Sequence, residues 1–169
     1  MLKANILEGL NKQINQELYS SYVYLSMSAW LETQNLRGFA HWMRIQAQEE
    51  LTHVMKLYTY IIDKNGRVEL TTVQAPKIEW ESPLKAVEEA YKHECDVSES
   101  INRLVSLAMA EEDHSTRVFL QWFVAEQVEE ESNADSLVQK LKLIEGFPAG
   151  LFMIDNELAG RTFTPEAAG

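Results

Sequence analysis

Residues 43–57 read Met43-Arg44-Ile45-Gln46-Ala47-Gln48-Glu49-Glu50-Leu51-Thr52-His53-Val54-Met55-Lys56-Leu57. Met43 and Leu57 share a helical face, Glu50 lies midway between them, and His53 follows one turn further along. The stripe that should face a core therefore carries a carboxylate and an imidazole. Three other stretches repeat the intrusion. Glu17 lies three positions after Ile14 and seven after Leu10. Glu94 interrupts Leu84, Val87, Tyr91, Ser98, Ile101 and Val105, and Gln127 with Glu130 interrupts Leu120, Phe123, Ala134, Leu137 and Leu141. Four helical faces, each carrying an inward acid, predict an all-α domain whose helices face one another.

Glycine and proline are sparse, at 7 and 4 copies, and they delimit the helices. Apolar spacing predicts helices over about 3–34, 36–64, 83–112 and 116–145, with a short fifth over 148–158. Leu7, Leu10, Ile14, Leu18 and Leu25 form the stripe of the first; Phe39, Met43, Leu57 and Ile61 form that of the second. Asn65-Gly66 stops the second helix, because both residues tolerate left-handed backbone. Ser82-Pro83 starts the third, Asp113-His114-Ser115 offers caps for the fourth, and Gly146 with Pro148 separates the fourth from the fifth.

Short links after the first and third helices force two antiparallel hairpins. The connection over 65–82 is different. Roughly 17 extended residues at ~3.3 Å each reach ~55 Å, whereas a helix of about 28 residues measures ~42 Å. That segment can travel the whole bundle and set the second and third helices parallel. The expectation is a four-helix bundle with one long crossover and a short fifth helix, a single domain over 1–169 that frays after Gly160.

The 169 residues, 46% hydrophobic, suffice for a core without covalent staples. With 15 Lys and Arg against 26 Asp and Glu, the formal charge of −11 repels nucleic-acid phosphates and favours cations. A single cysteine, Cys95, excludes an intrachain disulfide, a CxxC pair and a Cys-based zinc site. No stretch approaches the ~20 apolar residues of a membrane span, and Met1-Leu2-Lys3-Ala4-Asn5-Ile6 lacks the apolar run of a signal peptide. These features predict a cytoplasmic protein with neither nucleic acid nor membrane as partner.

The inward acids also share a height. Glu17 precedes Glu50 by 33 positions and His53 by 36, and Glu94 precedes Gln127 and Glu130 by the same intervals. With the first turn near Asn35, Glu17 and His53 each lie ~27 Å from that end. The second hairpin, turning near Asp113, puts Glu94 and Glu130 at nearly equal depth. An isolated buried carboxylate costs several kcal/mol even after relaxation. No Lys or Arg lies on the inward stripes near that level, and protonation relieves only one or two acids. A bound cation compensates the whole cluster. Carboxylates with one imidazole and no sulfur, inside a helix bundle, suit a pair of Fe or Mn ions better than structural zinc, Cu(I) or calcium. Glu50 is the candidate bridge, with Glu17 and His53 on one metal and Glu94 and Glu130 on the other.

Gln16-Glu17-Leu18-Tyr19-Ser20-Ser21-Tyr22, Gln48-Glu49-Glu50-Leu51-Thr52-His53, Phe123-Val124-Ala125-Glu126-Gln127-Val128-Glu129-Glu130-Glu131 and Phe152-Met153-Ile154-Asp155-Asn156-Glu157-Leu158 together carry a family likeness. Over nearly its whole length the chain resembles the prokaryotic non-haem ferritins. The resemblance implies the ferritin-like fold and a ferroxidase centre, with Fe(II) at Glu17, Glu50 and His53 and a second iron at Glu50, Glu94 and Glu130. It implies Gln127 as a neighbouring hydrogen-bonding group that interacts with dioxygen, and a third iron site at Glu49, Glu126 and Glu129. Tyr24, seven residues after Glu17 on the same face, matches the family's site-adjacent tyrosine, implicated in electron transfer. A homo-oligomeric shell of twenty-four subunits, with the short helix at the four-fold axes, is implied as well.

Two departures separate the chain from relatives. The general di-iron bundle repeats Glu-x-x-His, but here that second motif is Gln127-x-x-Glu130. Bacterioferritin has a haem-ligating Met where Thr52 stands, so no haem is expected. The reading is iron storage with ferroxidase activity, taking Fe(II) and O2 or H2O2. The alternatives are a di-iron or peroxide-detoxifying oxidase that stores no mineral, and an inert bundle subunit. His41, His93 and His114 read as surface or cap histidines, Cys95 as a small buried hydrophobe, and Trp30, Trp42, Trp80 and Trp122 as packing residues. Met55 and Met109 read as filler.

Overall fold

In the computed structural model of the chain, which describes residues 2–163, the helices are α1 (Ala4–Thr33), α2 (Arg37–Asp63), α3 (Pro83–Ala110), α4 (His114–Leu143) and α5 (Pro148–Leu158). The described residues contain no strand, so the all-α expectation holds. Local chemistry sets the ends. The Ser82 hydroxyl accepts from the Lys85 amide with Pro83 in the first turn, and Asp113 accepts from the Thr116 amide at 3.0 Å. Left-handed residues follow each of the first four helices: Asn35, Asn65, Glu112 and Gly146, with φ of 58°, 55°, 55° and 77°.

Side-chain contacts give the topology. Ser21 and Ser28 on α1 donate to the carbonyls of Ala47 and Ala40 on α2, so these helices run antiparallel. Gln13 and Ser20 on α1 meet Ser100 and His93 on α3, which makes that pair antiparallel too. The second and third helices are therefore parallel, as a bundle-length crossover requires. The crossover follows α1 from bottom to top: Asn11 bonds Arg67, Asn15 bonds Thr71 and Thr72, and Ser26 bonds Lys77.

The apolar core comes in two parts. One holds Met27, Leu31, Phe39, Met43, Val87, Ala90, Leu137 and Leu141; the other holds Ile6, Leu10, Ile14, Leu57, Ile61, Ile101, Leu120 and Phe123. Between them, on each of the four long helices, lie the buried polar residues Glu17, Glu50, His53, Glu94, Gln127 and Glu130. The seam of α1 differs from the expected stripe. Ile6, Leu10, Gln13, Glu17, Ser20, Tyr24, Met27 and Leu31 are buried at alternating spacings of four and three, a 3.5-residue repeat that keeps a supercoiled helix facing its partners. Leu25 falls off that seam and is 48% exposed. Cys95 is half-buried and not a core residue, and His93, also half-buried, meets the Ser20 hydroxyl at 2.8 Å. Met55 and Met109 are exposed.

The short α5 packs on α2. The N-terminus of α2 has no side-chain cap of its own, and Asp155 supplies one from α5, accepting from the Phe39 amide at 3.0 Å. Gly38 allows the approach, because a Cβ there would overlap the Asp155 carbonyl. The end beyond Gly160 does not fray where it is described: Arg161 is anchored by its side chain and its carbonyl. Residues 164–169, the rest of the expected frayed tail, lie outside the described residues. Gly38→Ala is expected to detach α5, lowering stability by about 1–3 kcal/mol and exposing the 144–147 link to protease. Thermal melting and limited proteolysis measure both.

Candidate metal centre

Glu17 comes from α1, Glu50 and His53 from α2, Glu94 from α3, and Gln127 and Glu130 from α4, all 5% exposed or less. Each sits where an unbroken helical seam would place a leucine, and so each points at the others. Ligand atoms of Glu17, Glu50 and His53 lie within 4.8 Å of one another. His53 Nδ1 stands 3.3 Å from Glu50 Oε2 and 3.8 Å from Glu17 Oε2, long for hydrogen bonds. Both of those oxygens, though buried, lack a hydrogen-bond partner among the described residues. The His53 ring is fixed edge-on against Trp122 and Phe123, at 5.4 and 6.0 Å between centroids. Buried acceptors aimed at one point without donors are the signature of a place for a cation.

Neutral amides hold the opposite oxygens. Gln13 donates to Glu17 Oε1 at 2.8 Å and itself accepts from Ser100 at 2.7 Å. Gln46 donates to Glu130 Oε2 at 2.6 Å, and Gln127 donates to Glu94 Oε2 at 3.1 Å. The Tyr24 hydroxyl donates to Glu94 Oε1. Gln13 and Gln46 escaped the sequence reading. Their signal was present, since they stand 33 positions apart and four before Glu17 and Glu50.

Among the described residues, the tight grouping stops at Glu17, Glu50 and His53. Glu94 and Glu130 belong to the same buried layer but lean on Tyr24, Gln127 and Gln46, as repelling carboxylates lacking a counter-ion will. Glu49, Glu126 and Glu129 lie outside this layer and line a cavity of about 830 Å3 whose wall includes His53. Glu49 and Glu126 are half-buried and Glu129 is exposed.

Proton affinities follow from the crowding. Burial, and then the charges of Glu17 and Glu94, push the Glu50 carboxyl well above its ordinary range. Glu94 is raised chiefly by burial, and Glu130 is raised by burial and by Glu94 to about 7. Glu17 goes the other way: burial opposes it, but the neighbouring His53 imidazole and the bond from Gln13 keep it ionised. Burial likewise opposes the His53 cation, and Glu17 and Glu50 more than offset it, so the imidazole holds its proton well above the usual range. Burial and three acid neighbours, Glu94 first, keep the Tyr24 phenol protonated. The centre thus carries exchangeable protons that a metal ion would displace on binding.

Glu130 holds its proton up to about 7 when folded, against an unperturbed 4.5. A raised carboxyl pKa stabilises the fold fully below the unfolded value, and that contribution is lost as pH climbs through the folded one. In chelator-treated protein, stability should fall between about 4.5 and 7 by more in the wild type than in Glu130→Gln, with a difference of at most about 3 kcal/mol. Urea unfolding at pH 5 and pH 7.5 measures this; parallel losses would mean that Glu130 is not protonated in the fold.

Comparison with known proteins agrees with this geometry. The family model described as Ferritin-like domain matches residues 7–144. The bacterial non-heme ferritin of Escherichia coli O6:H1 is 42% identical over 159 residues, covering 94% of this chain and 96% of its own. That of Bacteroides fragilis is 40% identical over 161 residues, covering 95% and 100%. A solved structure, an engineered closed form of the Archaeoglobus fulgidus ferritin, superposes with a TM-score of 0.96 at 48% identity, over 97% of this chain and all of that one. With sequence, fold and the buried acid layer in agreement, the chain belongs to the ferritin family.

Proposed function

We propose that the chain is an iron-storage subunit that oxidises Fe(II) at a pair of sites inside its own bundle and deposits Fe(III) as mineral within a shell of identical copies. The observation that carries this reading is the pair of buried, partnerless oxygens on Glu17 and Glu50 facing His53. Iron here is substrate and cargo. Glu17, Glu50 and His53 would take one Fe(II); Glu94 and Glu130, swinging from their neutral partners, would take a second with Glu50 between them. Each Fe(II) gives up one electron, and two together reduce O2: 2 Fe2+ + O2 + 2 H+ → 2 Fe3+ + H2O2. Gathered carboxylates favour the more highly charged product, so the same acids that attract the ion drive its oxidation.

The chain's own residues set the rest. Gln13 and Gln46 orient their carboxylates without neutralising them. Gln127, beside Glu94, is placed to hydrogen-bond an oxygen species between the sites. Tyr24, a phenol kept protonated against Glu94, is a nearby source of an electron together with a proton. Hydrolysis, Fe3+ + 2 H2O → FeOOH + 3 H+, releases protons and a solid. A solid needs a container, and a single bundle offers none. The apolar face of α5 leaves Phe152 and Met153 exposed, 67% and 69%, as surface for neighbouring copies of a twenty-four-subunit shell. Glu49, Glu126 and Glu129, lining the adjacent cavity, are the proposed third iron site.

Glu50→Ala and His53→Ala are expected to lower O2-dependent oxidation to the buffer rate while keeping helical circular dichroism. Glu129→Ala should change iron oxidised per O2 more than the initial burst. Fe(II) added anaerobically, followed by air, reads both. A soluble iron-loaded particle of several hundred kDa supports storage. Fast oxidation by a small oligomer with rust outside would favour an oxidase, and a rate equal to the blank in the unmutated protein would favour an inert bundle.

A further inference from the structure

Arg161 brings a fixed positive charge to the cavity beside the metal centre, from just beyond α5. Four contacts seat it. Its Nη2 donates to Glu49 Oε2 at 2.7 Å, its Nη1 donates to Gln46 Oε1, and its guanidinium lies 5.0 Å from the Trp42 ring centre. Its backbone carbonyl contacts His41 Nε2 at 2.7 Å. The Arg161 and Glu49 side chains are only 22% and 23% exposed, so solvent screens this pair less than a surface one. Lys140, which also lines the cavity, is directed to Glu157 at 2.7 Å. Arg161 is thus a cation committed to the Glu49 side of the acid wall.

We propose that Arg161 is a tethered counter-ion that occupies Glu49 until a divalent ion takes its place. The inference rests on the reading of Glu49, Glu126 and Glu129 as a third ion site. A metal bound there needs Glu49 oxygens, and one of them is engaged in a short charge-assisted bond. Binding and docking of the tail therefore oppose each other: the ion must release Arg161, and a docked Arg161 weakens the ion. The release reaches further. Gln46, which accepts from Arg161, is the residue whose amide holds Glu130, so the third site is joined to the central layer through one side chain. Arg161 acts on the ion through competition and touches no reacting atom; it is a positioning residue.

Anaerobic equilibrium titration with Fe(II), read as ions bound per subunit, tests this without turnover, and anomalous diffraction from iron-soaked crystals locates each ion. Arg161→Gln should tighten the weakest class of ions by about three- to tenfold, the range a partly shielded ion pair commands, and leave the two tight ions unchanged. Arg161→Lys, which keeps the charge, should stay near the wild-type value. Equal weak-class affinity in Arg161→Gln and the wild type, with anomalous density at Glu49, overturns the counter-ion while leaving the third site standing. An equal gain in Arg161→Lys overturns it too. A missing third ion in every protein, with two tight ions intact, removes the third site and the counter-ion with it.

Discussion

Acid side chains are buried where hydrocarbon would be cheaper, and the rest of the molecule is arranged around that. Glu17, Glu50, Glu94 and Glu130 form a polar floor between two apolar cores, with His53 and Gln127 among them. No apolar contact could compensate such crowding, because like charges in a medium of low polarity repel more strongly than in water. The chain's own groups relieve this crowding in three ways. Glu50 and Glu130 retain protons, His53 gains one, and amides from Gln13, Gln46 and Gln127 take up individual oxygens. Each relief can be reversed by a metal ion. The fold is thus held in a state of partial compensation that a bound cation would complete.

Two of the supporting amides share one offset from the acids of the first hairpin. Gln13 stands to Glu17 as Gln46 stands to Glu50, four residues earlier on each helix of one hairpin. Yet the two glutamines have diverged in their partners. Gln13 holds its own helix's acid and is braced by Ser100, whereas Gln46 crosses to Glu130 and is braced by Arg161. The same four-residue offset on the two helices of one hairpin has been put to unlike uses.

Much of the fold was legible because its signals were local. Asn65, Ser82, Pro83 and Asp113 act at helix ends through their own backbone geometry, and the long crossover follows from chain reach alone. The acid layer was legible because equal spacing in two hairpins leaves a mark in one dimension. Leu25 misled because α1 follows a 3.5-residue seam whose middle is polar, at Gln13, Glu17 and Ser20. Arg161 was invisible for another reason. Its contacts span 112 and 115 positions of sequence and depend on where α5 docks, which no periodicity encodes. The grouping of Glu94 and Glu130 with Tyr24, Gln127 and Gln46 depends likewise on contacts between helices distant in sequence.

The long crossover has a consequence for how the chain acquires its shape. Glu17, Glu50 and His53 all belong to the first hairpin, closed by the short link at Asn35, whereas Glu94 and Glu130 arrive with the second. Local hairpins close before distant segments meet, because joining ends across a long loop sacrifices more freedom. Three of the five candidate ligands would therefore gather while the newly made chain is still incomplete. A metal ion captured at that stage would stabilise the early hairpin by mass action and offer the second one a surface to dock on. The cargo would then act as a template for its own container.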